Sequence, residues 1–313
     1  MKMFEKFLVE TLKLAPRQMW GVEQLGVYFK KLFSAKGAKA VIACVVAIAE
    51  MLGLIVFDFA TTPRGEALDL SGYTLVFEDE FEGDSLNLDD WRYVASGRDR
   101  GGFNSPSQVS VKDGNLIMTA EYNEDGTYGA GWYGADIALN EWYKQGYFEI
   151  RCICNPGGGF WSAFWIQARH PYEAQYSQGG VGGAELDIFE AMDYGEFGCE
   201  NAVAQTIHCA GVGGVQEGFQ SRMLGCFNGN NIYEEYNTYG LKWTEDEYIF
   251  YINGVETVRS TFGDGVSQVE EQVRVSLCIP TAEKLEMLDK ETYNNSFVID
   301  YVRIYQPTLT AAE

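Results

Sequence analysis

From Tyr73 to the end of the chain, short runs of β-branched and aromatic residues recur, and no stretch between them carries the period of a long amphipathic helix. The runs cover 73–77, 109–111, 116–122, 147–154, 160–166, 185–192, 202–209, 239–243, 248–252, 273–279 and 297–305. Asn253-Gly254, set between 248–252 and Val255-Glu256-Thr257-Val258, is a two-residue hairpin signal. Many antiparallel strands without helices predict an all-β sandwich or barrel. Composition agrees: 14% aromatic residues and 35 glycines suit tight turns and aromatic surfaces better than a helical bundle.

One of these runs breaks the pattern. Ala184-Glu185-Leu186-Asp187-Ile188-Phe189-Glu190-Ala191-Met192 threads three carboxylates through an apolar stretch. Strict alternation puts Glu185, Asp187 and Phe189 on one face and Glu190 on the other. A β-bulge, one extra residue between Asp187 and Glu190, brings all three acids to one face. Glu185 and Glu190 then lie about four strand steps apart, roughly 13 Å between Cα atoms. Two Glu side chains leaning inward close most of that span. A pair of carboxyls about 5 Å apart across a glycosidic bond is the equipment of a retaining glycosidase. Spacing alone equally allows a strand edge with solvated acids.

Aromatic residues surround this strand in the sequence. Trp161, Ala163 and Trp165 share a face in the run before it, so the two indoles are either sugar platforms or core. Trp132, Tyr133 and Trp142 fall at glycine-rich turns, where exposure is expected. His208, in the following run, is placed to hydrogen-bond the acid/base or a sugar hydroxyl with a near-neutral pKa.

Charge divides the chain. Residues 1–60 carry net +3, and the remainder −25 of the overall −22. So acidic a surface excludes nucleic acid as a partner for the C-terminal part, disfavours strongly anionic polysaccharides and leaves a neutral glycan as the easier substrate. Val41 to Phe57 is a 17-residue apolar run broken only by Glu50. Its Val, Ile, Leu and Phe residues contribute about −3 to −6 kcal/mol to insertion against roughly +3 for the acid. Basic residues precede it, so the expected arrangement is a signal anchor with everything after Phe57 outside. The domain plan is therefore a basic segment over 1–39, an anchor or transmembrane helix over 40–60, a linker over 61–67, a catalytic domain over 68–307 and a tail over 308–313. Six of the seven cysteines lie in the main domain, where an exported protein forms disulfides of unspecified pairing. Cys152-x-Cys154 with His208-Cys209 matches no standard zinc spacing.

The acid run resembles the E-x-D-x-x-E signature of glycoside hydrolase family 16 in its bulged, laminarinase-like form. Further blocks are similar to the family's in the same order: Leu75 to Phe81, Val111 to Ala120, Gln145 to Arg151, Gly159 to Trp165, Thr238 to Thr244 and Ile299 to Tyr305. The resemblance implies a concanavalin-like jelly-roll sandwich of two antiparallel sheets with a glycan cleft on one. It implies Glu185 as nucleophile, Glu190 as acid and then base, and Asp187 orienting Glu185. It implies an endo-acting retaining hydrolase of a neutral β-glucan, β-1,3 or mixed β-1,3/1,4-linked, needing no cofactor for its chemistry. Agarase, porphyranase, carrageenase or transglycosylase specificity and a noncatalytic glycan-binding protein are the alternatives. Gly101-Gly102-Phe103-Asn104 resembles a family loop that brings Asn104 to the substrate, although the loop's glutamate is missing here. A structural Ca²⁺ site is implied on the far side, with Glu80 and Asp300 the nearest matches. The expected location is membrane-anchored with the catalytic domain extracellular, or secreted.

Overall fold

The computed structural model describes residues 60–192, 194 and 199–308. The basic segment and the anchor expected over 40–60 lie outside them, apart from Ala60. Among the described residues no helix is long and apolar enough to cross a membrane.

The chain forms β1 (Tyr73–Asp79), β2 (Trp91–Tyr93), β3 (Gly97–Asp99), β4 (Gly102–Asn104), β5 (Val109–Lys112), β6 (Asn115–Asn123), β7 (Gly131–Leu139), β8 (Gly146–Ile153) and β9 (Trp161–Gln167). It continues through β10 (Glu185–Ala191), β11 (Ala202–Cys209), β12 (Gln220–Asn228), β13 (Asn237–Trp243), β14 (Tyr248–Ile252), β15 (Val255–Ser260), β16 (Gln272–Cys278) and β17 (Asn294–Pro307). Two one-turn helices, α1 (Ala174–Ser177) and α2 (Ala282–Leu285), sit in loops. Every run expected from the sequence is a strand, and the Asn253-Gly254 turn joins β14 to β15 with both residues at positive φ.

Two sheets form a sandwich. The first runs β2-β7-β16-β9-β10-β11-β12, all antiparallel. The second is built on β17, which pairs β6 and then β1 along one edge and β8 along the other, and continues through β13 and β14 to β15. Between them lies one core: Ile137, Val275, Phe164, Leu186 and Phe189 from the first sheet meet Phe148, Ile150, Tyr239, Leu241 and Val302 from the second, all fully or almost fully buried. This is the expected all-β, jelly-roll-like sandwich.

β7 and β12 lie outside the runs expected to be strands. Gly126, Gly129, Gly131 and Gly134 look like turn residues, yet β7 is nearly all buried. Gly134 is required by contact: a Cβ there would stand 2.6 Å from the Leu277 carbonyl oxygen. Trp132 is accordingly a core residue, packed on Tyr122, Phe160 and Tyr293, and not an exposed platform.

Residues 61–67, expected as a linker, are bonded along the domain. Thr61 exchanges hydrogen bonds with β12 through the Cys226 carbonyl and the Asn228 N–H, at 2.9 Å each. Gly65 and Glu66 bond to Glu256 of β15, and Leu68 to Gly254 in the turn before it. The segment thus covers the outer strand of each sheet, edges that would otherwise present unpaired backbone groups. Cys152, Cys154, Cys209 and Cys278 carry thiols, so disulfides through these four are not formed.

Candidate active site

The bulge is present where parity requires it. Against β11, Asp187 faces Thr206 and Glu190 faces Ala204, so three steps on β10 match two on its neighbour. Against β9 the extra residue falls between Asp187 and Phe189, at Ile188. Phe189 then turns into the core, 4.2 Å between ring centroids from Tyr239, and Glu190 joins Glu185 and Asp187 on the outer face. A bulge leaves a backbone group without its ladder partner. Here the buried Gln205 side chain donates to the Ile188 carbonyl at 3.2 Å, and Thr257 donates to Gln205 at 2.6 Å. Nothing in the sequence marked Gln205 beyond its being polar in an apolar strand.

Outward from the three acids, side chains of neighbouring strands close around them. Tyr172 and Gln167 both donate to Glu185 Oε2. His208 places Nε2 3.0 Å from Asp187 Oδ2 and 4.0 Å from Glu185 Oε1, while its Nδ1 meets the Ser221 hydroxyl at 2.6 Å. Trp161 donates its indole N–H to Glu190 Oε1 at 3.1 Å. Trp165 donates to the Ser276 hydroxyl at 3.0 Å. Both tryptophans and His208 thus stand on the acid-bearing face. Each indole also carries a guanidinium over its ring: Arg100 at 4.6 Å over Trp161 and Arg274 at 4.0 Å over Trp165. Arg274 is ion-paired with the buried Asp136 and donates to Gln167 at 3.2 Å, which links it to Glu185 in two steps. Gln167, Tyr172, Arg100 and Arg274 were not legible as site residues, because each comes from a different strand or loop with no local signature.

Although this is the outer face of a sheet, Asp187 is 5% exposed and Ser276 2%. The site is therefore recessed, and that decides its electrostatics. Burial, then the Asp187 charge, pushes the Glu190 carboxyl up to about 8 against the hydrogen bond from Trp161. Burial and Asp187 also raise Glu185, opposed by Tyr172, His208 and Gln167. Burial raises Asp187, with His208 pulling the other way. Desolvation lowers His208, but the hydrogen bond and charge of Asp187 outweigh it and its pKa rises. Glu185, Glu190, Asp187 and His208 thus form one interacting set.

The remaining expected site residues have other partners. Asn104 is buried beside β7, its amide 3.5 Å from Asp99, and Trp142 is half-buried under the Arg169 guanidinium at 4.4 Å. Neither makes a recorded contact with the acids. Of the residues expected for calcium, Glu80 is bound by Arg303 at 2.8 Å and Asp300 by Arg151, so each carboxylate has a guanidinium partner. Among the described residues, the set that brings three potential metal ligands within 4.8 Å of one another is Glu185, Asp187 and His208.

Comparison with known proteins now bears on this geometry. Residues 75–307 match the family described as beta-porphyranase A-D, GH16 domain. The chain belongs to this glycoside hydrolase family. The GH16 domain is also 25% identical over 216 residues to glucan endo-1,3-beta-glucosidase A1 of Niallia circulans; that stretch is 62% of this chain but 30% of the relative. Its fold is similar to SCLam, a non-specific endo-beta-1,3(4)-glucanase from family GH16, with TM-score 0.63, 22% identity and coverage of 80% of this chain and 97% of that one. It is also similar to porphyranase B from Zobellia galactanivorans, with TM-score 0.58, 19% identity and coverage of 79% and 97%. The GH16 domain here thus shares its sandwich fold with these proteins.

Proposed function

We propose that the protein is a retaining endo-β-glycosidase that hydrolyses a neutral β-glucan, β-1,3 or mixed β-1,3/1,4-linked. The observation that carries this reading is the bulged β10, which sets Glu185 and Glu190 on one recessed face with different environments. Glu190, with its pKa near 8, holds a proton at neutral pH and delivers it to the glycosidic oxygen. Glu185, receiving hydrogen bonds from Tyr172 and Gln167, attacks the anomeric carbon and forms the glycosyl-enzyme. Once Glu185 is esterified its charge is gone, which lowers the pKa of Glu190. Glu190 then takes a proton from the water that releases the sugar, so two inversions give retention. Asp187, held by His208, keeps Glu185 oriented between the steps.

Support for the glucan comes from the GH16 family and from the curated relative and the structural neighbour named above as glucan-cleaving proteins. A second reading, cleavage of a sulfated galactan of the porphyran type, is favoured by the family description and by Arg100 and Arg274 over the site tryptophans. These put positive charge in the cleft of an acidic protein, and sulfate esters pair well with guanidinium groups. Reducing-end release by the purified protein from laminarin, mixed-linkage glucan and porphyran separates the two readings. Glu185→Gln should lower kcat at least about 10³-fold on whichever substrate is cut. An unchanged rate in that variant would overturn the mechanism.

The 17-residue apolar run Val41 to Phe57, with basic residues before it, supports the further proposal that the enzyme is held to a membrane with its catalytic domain outside. A reporter fused after residue 60 should fractionate with membranes and be open to external protease; a free soluble reporter would argue for a cleaved signal.

A further inference from the structure

Glu271 is fully buried and takes no part in the mechanism above. It lies one residue before β16, in a segment whose backbone exchanges both hydrogen bonds with Tyr143. Its Oε1 accepts the backbone N–H of Ala184 at 2.8 Å, the residue immediately before Glu185. Its Oε2 lies beside the Ser267 hydroxyl, and both are sealed from solvent. A structural cap for one N–H needs only an amide or hydroxyl, and burying a carboxyl to provide it is costly.

The place that it holds is the start of the strand that carries the chemistry. Gln272, Gln167 and Glu185 form one rung across β16, β9 and β10. Just upstream, Gly183 sits at φ +133° with no room for a Cβ, which would stand 2.3 Å from Ala168 Cβ. Its carbonyl takes the Ser177 hydroxyl at 2.7 Å, and the Ala184 carbonyl takes the Ala168 N–H at 2.9 Å. The Ala184 N–H is the remaining backbone group at this point, and Glu271 alone accepts it among the recorded bonds.

We propose that Glu271 is a positioning residue for the nucleophile, a buried carboxyl that fixes the backbone at Ala184, the residue leading into the acid strand. The inference rests on the function proposed above. Burial pushes the Glu271 carboxyl up to about 8, against the Ala184 N–H and Ser267, with Glu185 adding to the rise. The groups that face it are Glu185 from β10, Ser267, the Tyr248 phenol from β14 and the Cys209 thiol from β11; none is a cation. Neutral, it leaves Glu185 free to ionise. Ionised, it sets a second buried negative charge beside the nucleophile and opposes that ionisation.

The test compares Glu271→Gln, which keeps the acceptor and cannot ionise, with Glu271→Ala. Near pH 6, Glu271→Ala should lose at least about tenfold in kcat with KM within about twofold, and Glu271→Gln should restore kcat to within about threefold of wild type. Wild-type kcat in Glu271→Ala or no rescue by glutamine would each overturn the proposal. Amide exchange gives an arm independent of turnover: the Ala184 N–H should exchange slowly in wild type and Glu271→Gln and fast in Glu271→Ala. Inertness of wild type on every glycan would overturn the function reading, while this exchange contrast would still decide whether Glu271 holds the strand; equal exchange in all three proteins overturns that hold.

Discussion

At the scale of single residues, the site works by giving chemically identical carboxyls unlike surroundings. Glu190 is fixed by one indole N–H, whereas Glu185 accepts from a phenol and an amide and has an imidazole nearby. The Trp161 hydrogen bond stabilises ionised Glu190, so removing it should raise the Glu190 pKa and keep the acid form to higher pH. Trp161→Phe is therefore expected to shift the alkaline limb of kcat upward while lowering kcat roughly tenfold, because the acid is no longer aimed; a pH–rate profile checks both. The acids were legible from sequence because parity on a strand is arithmetic: three carboxylates share a face only with one extra residue. Trp161 and Trp165 were legible for the same reason, and His208 from its place in the following run. Trp132 was not, since neighbouring glycines mimic a turn when they in fact admit a packed strand. Gln205, Gln167, Tyr172 and Glu271 were illegible because their meaning lies in partners 17, 18, 13 and 87 positions away.

At the scale of elements, the segment from Thr61 to Leu68 carries more weight than its composition suggested. It bonds to β12 of one sheet and β15 of the other, ahead of the point where the family match begins. A chain starting at Asp69 should lose these edge hydrogen bonds, each worth about 0.5–1.5 kcal/mol net. Its thermal midpoint is expected to fall by several degrees relative to a chain starting at Phe59, with kcat unchanged at a temperature where both are folded. Thermal melts followed by circular dichroism make the comparison. A midpoint unmoved by the truncation would show that the strap adds nothing to the sandwich. The strands themselves were readable wherever β-branched and aromatic residues cluster, and β2, β3 and β4 were not, because three-residue strands leave no periodicity to detect.

At the scale of the whole molecule, the burial of acids sets how stability responds to pH. The folded pKa values of Glu190 and Glu271, each about 8, lie above the ordinary value of 4.5, and that of Asp136, about 6, lies above 3.8. Between the ordinary and the raised value the unfolded chain releases a proton that the folded one keeps, so stability falls as pH rises. Each such group removes up to about 1.4 kcal/mol per pH unit across its window. The fold should be firmest near pH 4–5 for these groups and weaken up to about pH 8, and denaturant melts at a series of pH values will trace it. Glu271→Gln should flatten part of that decline. Stability that rises steadily from pH 5 to 8 would contradict the burial of these acids.

The bulge at Ile188 also bears on what the gene can tolerate. Deleting that one codon leaves Glu185, Asp187 and Glu190 at alternate positions of an unbroken strand, still on one face and still four rungs apart. What the deletion removes is an apolar residue from the core and the carbonyl that Gln205 accommodates. A frame-preserving loss at this position is therefore expected to weaken the fold while leaving turnover detectable, whereas loss of Phe189 and Ile188 together would turn Glu190 into the core and silence the enzyme.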